Sequence, residues 1–519
     1  MHRLVIALTT FLALVAAVVV AGYLLVFAVS PDRTARAAPA DSVAYATVYL
    51  QLSAGQGMNL AELLGRVPGF ADAAALEQKI HEIAQRLLGD AGLDYEADLR
   101  PWLGDQLAVA VAGDELDDAQ PGVVALIDVR DAELARDALE RIVADSGVTY
   151  TTEDHEGVEV RIAEESAYAL TTDLLIVGEH AVSVRAALDA DAGRAPSLDE
   201  DAGFRTAMQR LPADHLASAY LDLAGLGAAT DAEEQLDGYQ ALSMALLVER
   251  DGLRVVGSAP FDEAVASDAA REAFALATEP SSLADWMPQD TQAEAVVFGL
   301  SQTILALEEQ VATTPGLEGA ADLLVQIRAL AALGLGINLD DDVLPLFDRE
   351  VAIAVSNLDA DLPAFTLLLR PNDAAEATAA LRRIRNALTN LGAGIDELDE
   401  AGTLITTLAI PDVPAISYAM GDGVVIVALS TDDVAGALRA HANGTTLSAS
   451  DRYRAAWQLA GDRGGNEVYL DVASLVDRLG AVIDLPDDGR DILQEVGALA
   501  ITAPARDDAI IFHLVVTVR

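Results

Sequence analysis

An internal repeat constrains the fold of this chain more than any other feature. Residues 131–142, DAELARDALERI, match residues 373–384, DAAEATAALRRI, at seven of twelve positions. Residues 167–190 match 417–440 at eight of 24, and AYLDLAGL at 219–226 matches VYLDVASL at 468–475 at five of eight. Upstream, GLDYEADLRPWLGDQLAVAV at 92–111 lines up with GINLDDDVLPLFDREVAIAV at 336–355. The four blocks keep their order at offsets between 242 and 250. Alanine matches count for little in an Ala-rich chain, but Tyr168 with Tyr418, Tyr220 with Tyr469 and Asp222 with Asp471 are not alanine matches. Self-similarity at a fixed offset predicts two copies of one folding unit. We place them at 41–268 and 280–519, with residues 1–40 as anchor and linker and 269–279 as connector.

Periodicity predicts the content of each unit. The first opens with an alternating strand at 43–52, then helices near 60–66 and 76–88. Strands at 106–113 and 122–130 flank the acidic turn DELDDAQPG. Asp131 caps a helix reaching about Ala144. Strands follow at 148–154, 158–164 and 167–178, then helices at 182–190 and 204–211, a strand at 217–223, and a hairpin turning at Asp251-Gly252. Residues 262–278 read as a connecting helix. Strands come in runs rather than in strict βαβ alternation. The predicted class is therefore α+β, each unit a largely antiparallel sheet with helices packed on one face.

Residues 4–29, LVIALTTFLALVAAVVVAGYLLVFAV, carry no charge. As a helix this run is about 39 Å long, more than the ~30 Å hydrocarbon core requires and longer than an ordinary signal-peptide core. It predicts one N-terminal transmembrane helix, N-terminus inside and body outside the cytoplasm. The alternative is cleavage at the small residues Ala35, Ala37 and Ala38, and secretion.

VAYATVYLQL at 43–52, RVPGF at 66–70, DLRPWLGDQLAVAV at 98–111 and the later YLDL together resemble a bacterial envelope family, the domain-of-unknown-function family 3352, found as N-terminally anchored proteins. The most distinctive piece is Pro101-Trp102-Leu103-Gly104, where the second repeat reads Pro345-Leu346-Phe347-Asp348. The resemblance implies location and architecture. It supplies no catalytic, cofactor or metal residue.

The residues themselves point away from catalysis. Zero cysteines exclude disulfides, thiolate metal sites and a cysteine nucleophile. Among the seven histidines there is no HExxH, and His513 lies within an apolar strand. There is no P-loop, no G-x-S-x-G elbow and no G-x-G-x-x-G after a strand. Asp189, Asp191 and Glu200 have EF-hand-like spacing, but Arg194 stands where that loop needs glycine. That stretch, like Asn357, Asp359 and Asp361, reads as a solvated acidic turn. The repeated Tyr220-Leu-Asp222 and Tyr469-Leu-Asp471 read as strand ends turning into helices. Trp102 and Trp286 read as packing anchors, and Asn443-Gly444-Thr445 is a glycosylation sequon in an exposed loop. No catalytic, cofactor-binding or metal residue is assigned, and no cofactor.

With 32 basic against 83 acidic residues the formal charge is −51, which excludes a nucleic-acid partner. The expected function is a non-enzymatic binding or scaffolding module of the envelope, joined to the membrane by its N-terminal helix. Its partner would be an envelope protein or a second copy. The alternative is a carrier of lipids or other amphiphiles in an apolar pocket, and a hydrolase with unrecognised acids comes last. A single lysine, Lys79, among so many carboxylates also fits a salt-adapted surface. Raising NaCl toward 1 M shortens the Debye length to about 3 Å. The soluble body from residue 40 onward should therefore melt at rising temperature across a NaCl series, with choline chloride separating screening from cation uptake. A flat midpoint would assign the acidity to genome composition.

Overall fold

A computed structural model describes residues 32–51, 53–66, 95–112, 122–146, 148–163, 166–230, 238–313, 318–357, 363–409, 414–476 and 493–519. The run at 4–29 and the helix expected at 76–88 lie outside the described residues, as do most of the acidic turn and Asp359 and Asp361. Among the described residues no single helix is long and apolar enough to cross a membrane. The chain forms two compact units, dividing after Ser267.

The first unit holds β1 (Ser42–Tyr49), β2 (Leu103–Ala112), β3 (Val123–Val129), β4 (Thr151–His155), β5 (Val158–Ile162), β6 (Ala167–Leu170), β7 (Leu174–Gly178), β8 (Ala217–Asp222), β9 (Ala241–Glu249) and β10 (Gly252–Pro260). Every pairing is antiparallel, in the order β4-β5-β6-β7-β3-β2-β1-β8-β9-β10. The expected single strand at 167–178 is two, because the chain turns at 171–173. There the Leu174 amide donates to Thr171 Oγ1 at 3.1 Å. Described helices are α1 (Ala54–Leu64), α2 (Ala132–Ser146), α3 (Ala181–Asp191), α4 (Ala202–Met208) and α5 (Leu223–Thr230).

The second unit holds β11 (Ala293–Phe298), β12 (Glu350–Ser356), β13 (Ala364–Arg370), β14 (Gly394–Glu400), β15 (Thr403–Ala409), β16 (Ile416–Gly421), β17 (Val424–Ala428), β18 (Glu467–Leu470), β19 (Val496–Thr502), β20 (Ala505–Arg506) and β21 (Ala509–Val518). Their antiparallel order is β14-β15-β16-β17-β13-β12-β11-β18-β19-β21, which repeats the first unit strand for strand, and the short β20 pairs with the start of β21. Tyr220 pairs with position 45 of β1, and Tyr469 pairs with position 294 of β11. The helices are α6 (Asp268–Leu276), α7 (Leu300–Thr313), α8 (Glu318–Leu330), α9 (Ala374–Asn390), α10 (Thr431–Asn443) and α11 (Asp451–Ala460). Asp131 and Asp373 accept the first amides of α2 and α9.

Helices cover both faces of each sheet, not one as the alternation suggested. In the first unit α3 and α4 pack with Tyr45, Leu126 and Ile176, while α2 packs on the opposite face with Val129 and Leu175. In the second, α10 and α11 pack with Val296, Leu368 and Ile426, and α9 with Val351, Leu369 and Val425. The reason is visible in β7 and β17, whose residues are buried almost continuously rather than alternately. The edge strands β4 and β14 are nearly all exposed and carry Glu153, Asp154, Asp396, Glu397 and Asp399, charges that discourage pairing with a further strand.

Residues 32–40, expected to be linker, belong to the first unit. Ala35, Ala37 and Ala38 are at most 1% exposed and share a core cluster with Tyr45 and Leu126. The Leu198 amide donates to Ala38 O at 2.8 Å, and Pro39 bridges to Ser197. The second unit begins the same way, with a helical turn at Leu283–Asp285 and Pro288 bridging to Thr446. A body starting at residue 40 lacks this plug. It should unfold at least ~2 kcal/mol more easily than one starting at residue 29, because buried apolar surface and a buried hydroxyl's partner are both lost. Denaturant melts of the two bodies check this, and the salt series belongs on the longer one.

Candidate functional site

A cleft of about 750 Å³ lies in the first unit between α2 and the β5–β6 hairpin. Leu139, Val158, Leu170 and Tyr168 supply its apolar surface; Arg136, Glu140, Glu159 and Arg161 supply its charges. Arg161 donates to Glu159 at 2.8 Å and to the Tyr168 hydroxyl at 3.1 Å, with its guanidinium 5.8 Å from the Tyr168 ring. Burial raises the Tyr168 phenol above its ordinary pKa, against the pull of Arg161. Arg136 is exposed on α2 and has no ion pair among the described residues. A volume in this range suits a small organic ligand. By register and helix position the second unit has Thr406 opposite Tyr418 where the first has Arg161 opposite Tyr168, and Thr378 in place of Arg136.

A second shared position is a polar centre under the first strand of each unit. In the first, the Tyr45 hydroxyl lies 2.8 Å from each Asp32 carboxylate oxygen and 2.7 Å from Thr34 Oγ1. Phe204 stands edge-on to Tyr45 and Tyr220, with centroids 5.6 and 5.1 Å away. The Arg33 amide donates to Gln106 Oε1 at 2.8 Å. In the second unit, Tyr453 takes the Phe204 place, its ring 4.9 Å from Tyr469, and the Ser282 amide donates to Glu350 Oε1 at 2.9 Å. Glu294 stands where the first unit has Tyr45.

Ionisable groups thus replace neutral ones. Glu467 accepts from the Ser281 amide and pairs with Arg463, whose guanidinium lies 4.5 Å from the Trp457 ring. Glu350 lies 3.2 Å from Arg370. Glu294 is 2% exposed and forms no ion pair among the described residues; the Tyr453 hydroxyl is its polar neighbour. Burial, with the Glu467 carboxylate adding to it, pushes the Glu294 carboxyl up to about 8, while Arg463 and the Tyr453 hydroxyl pull the other way. This is a proton-holding group sealed from solvent, not an acid facing a substrate.

The other residues singled out in the sequence are committed elsewhere. Asp189 takes Arg194 and His155 at 2.7 and 2.9 Å, and Asp191 takes Arg36 at 2.9 Å. Among the described residues no group of acids and histidines could hold a metal ion. Asp222 accepts the Gly225 amide and Asp471 the Ser474 amide, each turning a strand end. Trp286 stacks on His441 with centroids 3.6 Å apart, and Trp102 donates to Asp98 O. Gly104 follows Trp102 because a methyl group there would overlap the Asp128 carboxylate, which accepts the Asp105 amide at 2.7 Å. In the second unit Leu346 fills the Trp102 place. The inclusion of residues 32–40 in the first unit and the buried charges were missed in the sequence. The repeated spacing of Pro31 and Pro39 with Pro280 and Pro288 would have disclosed the first.

Glu294 sets a pH dependence. Its folded pKa lies above the unfolded carboxyl value near 4.5, so its stabilising share is complete below that value and falls as pH rises toward 8. Glu294→Gln removes this slope. The stability of the variant relative to the parent should climb from pH 5 to 8 by up to ~1.4 kcal/mol per pH unit and then level off. Thermal melts of both proteins over that range check the difference.

Comparison with known proteins adds the following. No curated protein matches the chain. Two crystal forms of TP0453, forms IV and III, align with TM-scores of 0.26 at 8% and 10% identity. They cover 45% and 46% of this chain and 81% and 83% of theirs, a likeness too low to carry a structural argument. The family description "Protein of unknown function (DUF3352)" matches residues 4–514, nearly the whole sequence, and the chain belongs to that family.

Proposed function

We propose that this protein is a membrane-tethered, non-enzymatic binding module of the cell envelope. Its N-terminus is cytoplasmic, and its two homologous units, 32–267 and 268–519, lie outside the cytoplasm. The observation that carries the tether is the burial of Thr34, Ala35, Ala37 and Ala38. An uncharged run long enough to span a bilayer ends at residue 29, and the core of the first unit begins at Thr34. Cleavage at Ala35, Ala37 or Ala38 would strip Asp32 from Tyr45 and open the core, so the alternative of a secreted body is disfavoured. Homology of the units is supported by their identical strand order and by Tyr220 and Tyr469 at one register position.

Binding rather than catalysis is supported by where the chemistry sits. The cleft's own acids, Glu140 and Glu159, pair with Arg161, whereas the strongly raised carboxyl, Glu294, is sealed inside the other unit. Apolar side chains beside charged ones in the cleft suit an amphiphile as its ligand, which keeps the carrier as the second reading. Membrane-extracted protein should begin upstream of Asp32 by N-terminal sequencing, and protease added to spheroplasts should digest the body. A mature start at residue 36, 38 or 39 would overturn the tether. Protection of the body would overturn its orientation.

A further inference from the structure

The second unit exposes apolar side chains where a water-facing helix would carry charges. On α8 and the helical turn after it, Leu323, Val325, Ile327, Leu330 and Leu333 are 55, 66, 44, 70 and 90% exposed. At about 100° per residue Leu323, Val325, Ile327, Ala329 and Leu330 sweep an arc of roughly 200° that also contains the exposed, uncharged Gln326, and Leu333 follows on the wider turn at Ala331–Leu335. From Leu323 to Ile337 the sequence LLVQIRALAALGLGI holds one charge, Arg328. That charge is already spent, since Arg328 donates to Glu308 on α7 at 2.6 Å and to Asp340 at 2.9 Å. Single exposed leucines are ordinary, but a contiguous group of this kind marks a surface that meets something apolar.

We infer that the exposed face of α8 lies in the interfacial layer of a lipid bilayer. The inference rests on the proposed tether, which holds the chain at a membrane and raises the effective concentration of that surface to about millimolar. A helix suits this task, because its backbone hydrogen bonds are internal and no peptide group enters lipid unpaired. A second copy of the chain is the competing occupant. It brings another −51 charges to the contact, and repulsion between like-charged bodies opposes that pairing. A zwitterionic or neutral lipid surface brings none. From residue 323 to residue 337 the ion pairs of Arg328 leave no unpaired charge to be desolvated on entry, while Glu318 and Asp322 in the first turns of α8 stay at the headgroup side.

The absence of cysteine makes the test direct. Single variants Gly22→Cys, Leu330→Cys, Leu333→Cys and Glu376→Cys of the full chain are labelled with an environment-sensitive fluorophore and reconstituted into phosphatidylcholine vesicles with spin-labelled lipid. Gly22 reports the predicted span; Glu376, exposed on α9, is the water-facing control. We expect labels at 330 and 333 to be quenched by spin-labelled lipid at least two-fold more than the label at 376. If the label at 22 is quenched and those at 330 and 333 match 376, the tether stands and the inference fails. If the chain neither floats with vesicles nor shows quenching at 22, the tether fails and takes the inference with it. If labels at 330 and 333 are shielded without lipid quenching, and the unlabelled Leu330→Cys variant forms inter-chain disulfides, the face is an interface between copies and the inference is overturned.

Discussion

In each unit the strand that comes first in sequence is the one that holds the sheet together. β1 pairs on one side with β2 and on the other with β8, and β11 pairs likewise with β12 and β18. Among the described strands, the backbone hydrogen bonding of one half of each sheet reaches the other half through this strand. Whatever precedes the strand therefore arrives at the centre of the unit. That is why Ala35, Ala37 and Ala38 lie in the core, and why a polar centre forms where Asp32 meets Tyr45.

The two centres show what changes when one architecture is kept and its core is re-chosen. The first satisfies Tyr45, Thr34 and Gln106 with neutral or singly charged partners. The second places three glutamates on one sheet face and offsets two with arginines. Burying charge is costly unless every member is paired, and Glu294 has no ion pair among the described residues, so burial favours its protonated form. The aromatic rings are conserved in role although not in identity: Phe204 and Tyr220 in one unit, Tyr453 and Tyr469 in the other.

The α+β class and most strands were legible in the sequence, because alternation and turn residues are local signals. Asp131 and Asp373 were legible as caps from a single side chain each. The second covering layer of helices was not, since the apolar run of β7 reads the same whether one or both of its faces are covered. The turn at 171–173 hid inside a longer apolar stretch. Glu294, Glu350 and Glu467 were invisible among 83 acidic residues. Their burial depends on strand register, which brings together residues from β11, β12 and β18. The cleft was equally illegible, since it joins a helix to a hairpin whose spacing no local pattern specifies.

A central first strand also sets the order of events as the chain is made. β1 emerges before any other strand of its unit, yet one of its edges has no partner until residues 217–222 exist. Throughout that interval the nascent unit carries an open, apolar strand edge beside a half-built sheet, the kind of surface that recruits wrong partners. The same wait recurs for β11, which is complete long before residues 467–470. Folding of each unit is thus closed by its late strands rather than seeded by its early ones, and two such intervals pass before the chain is whole.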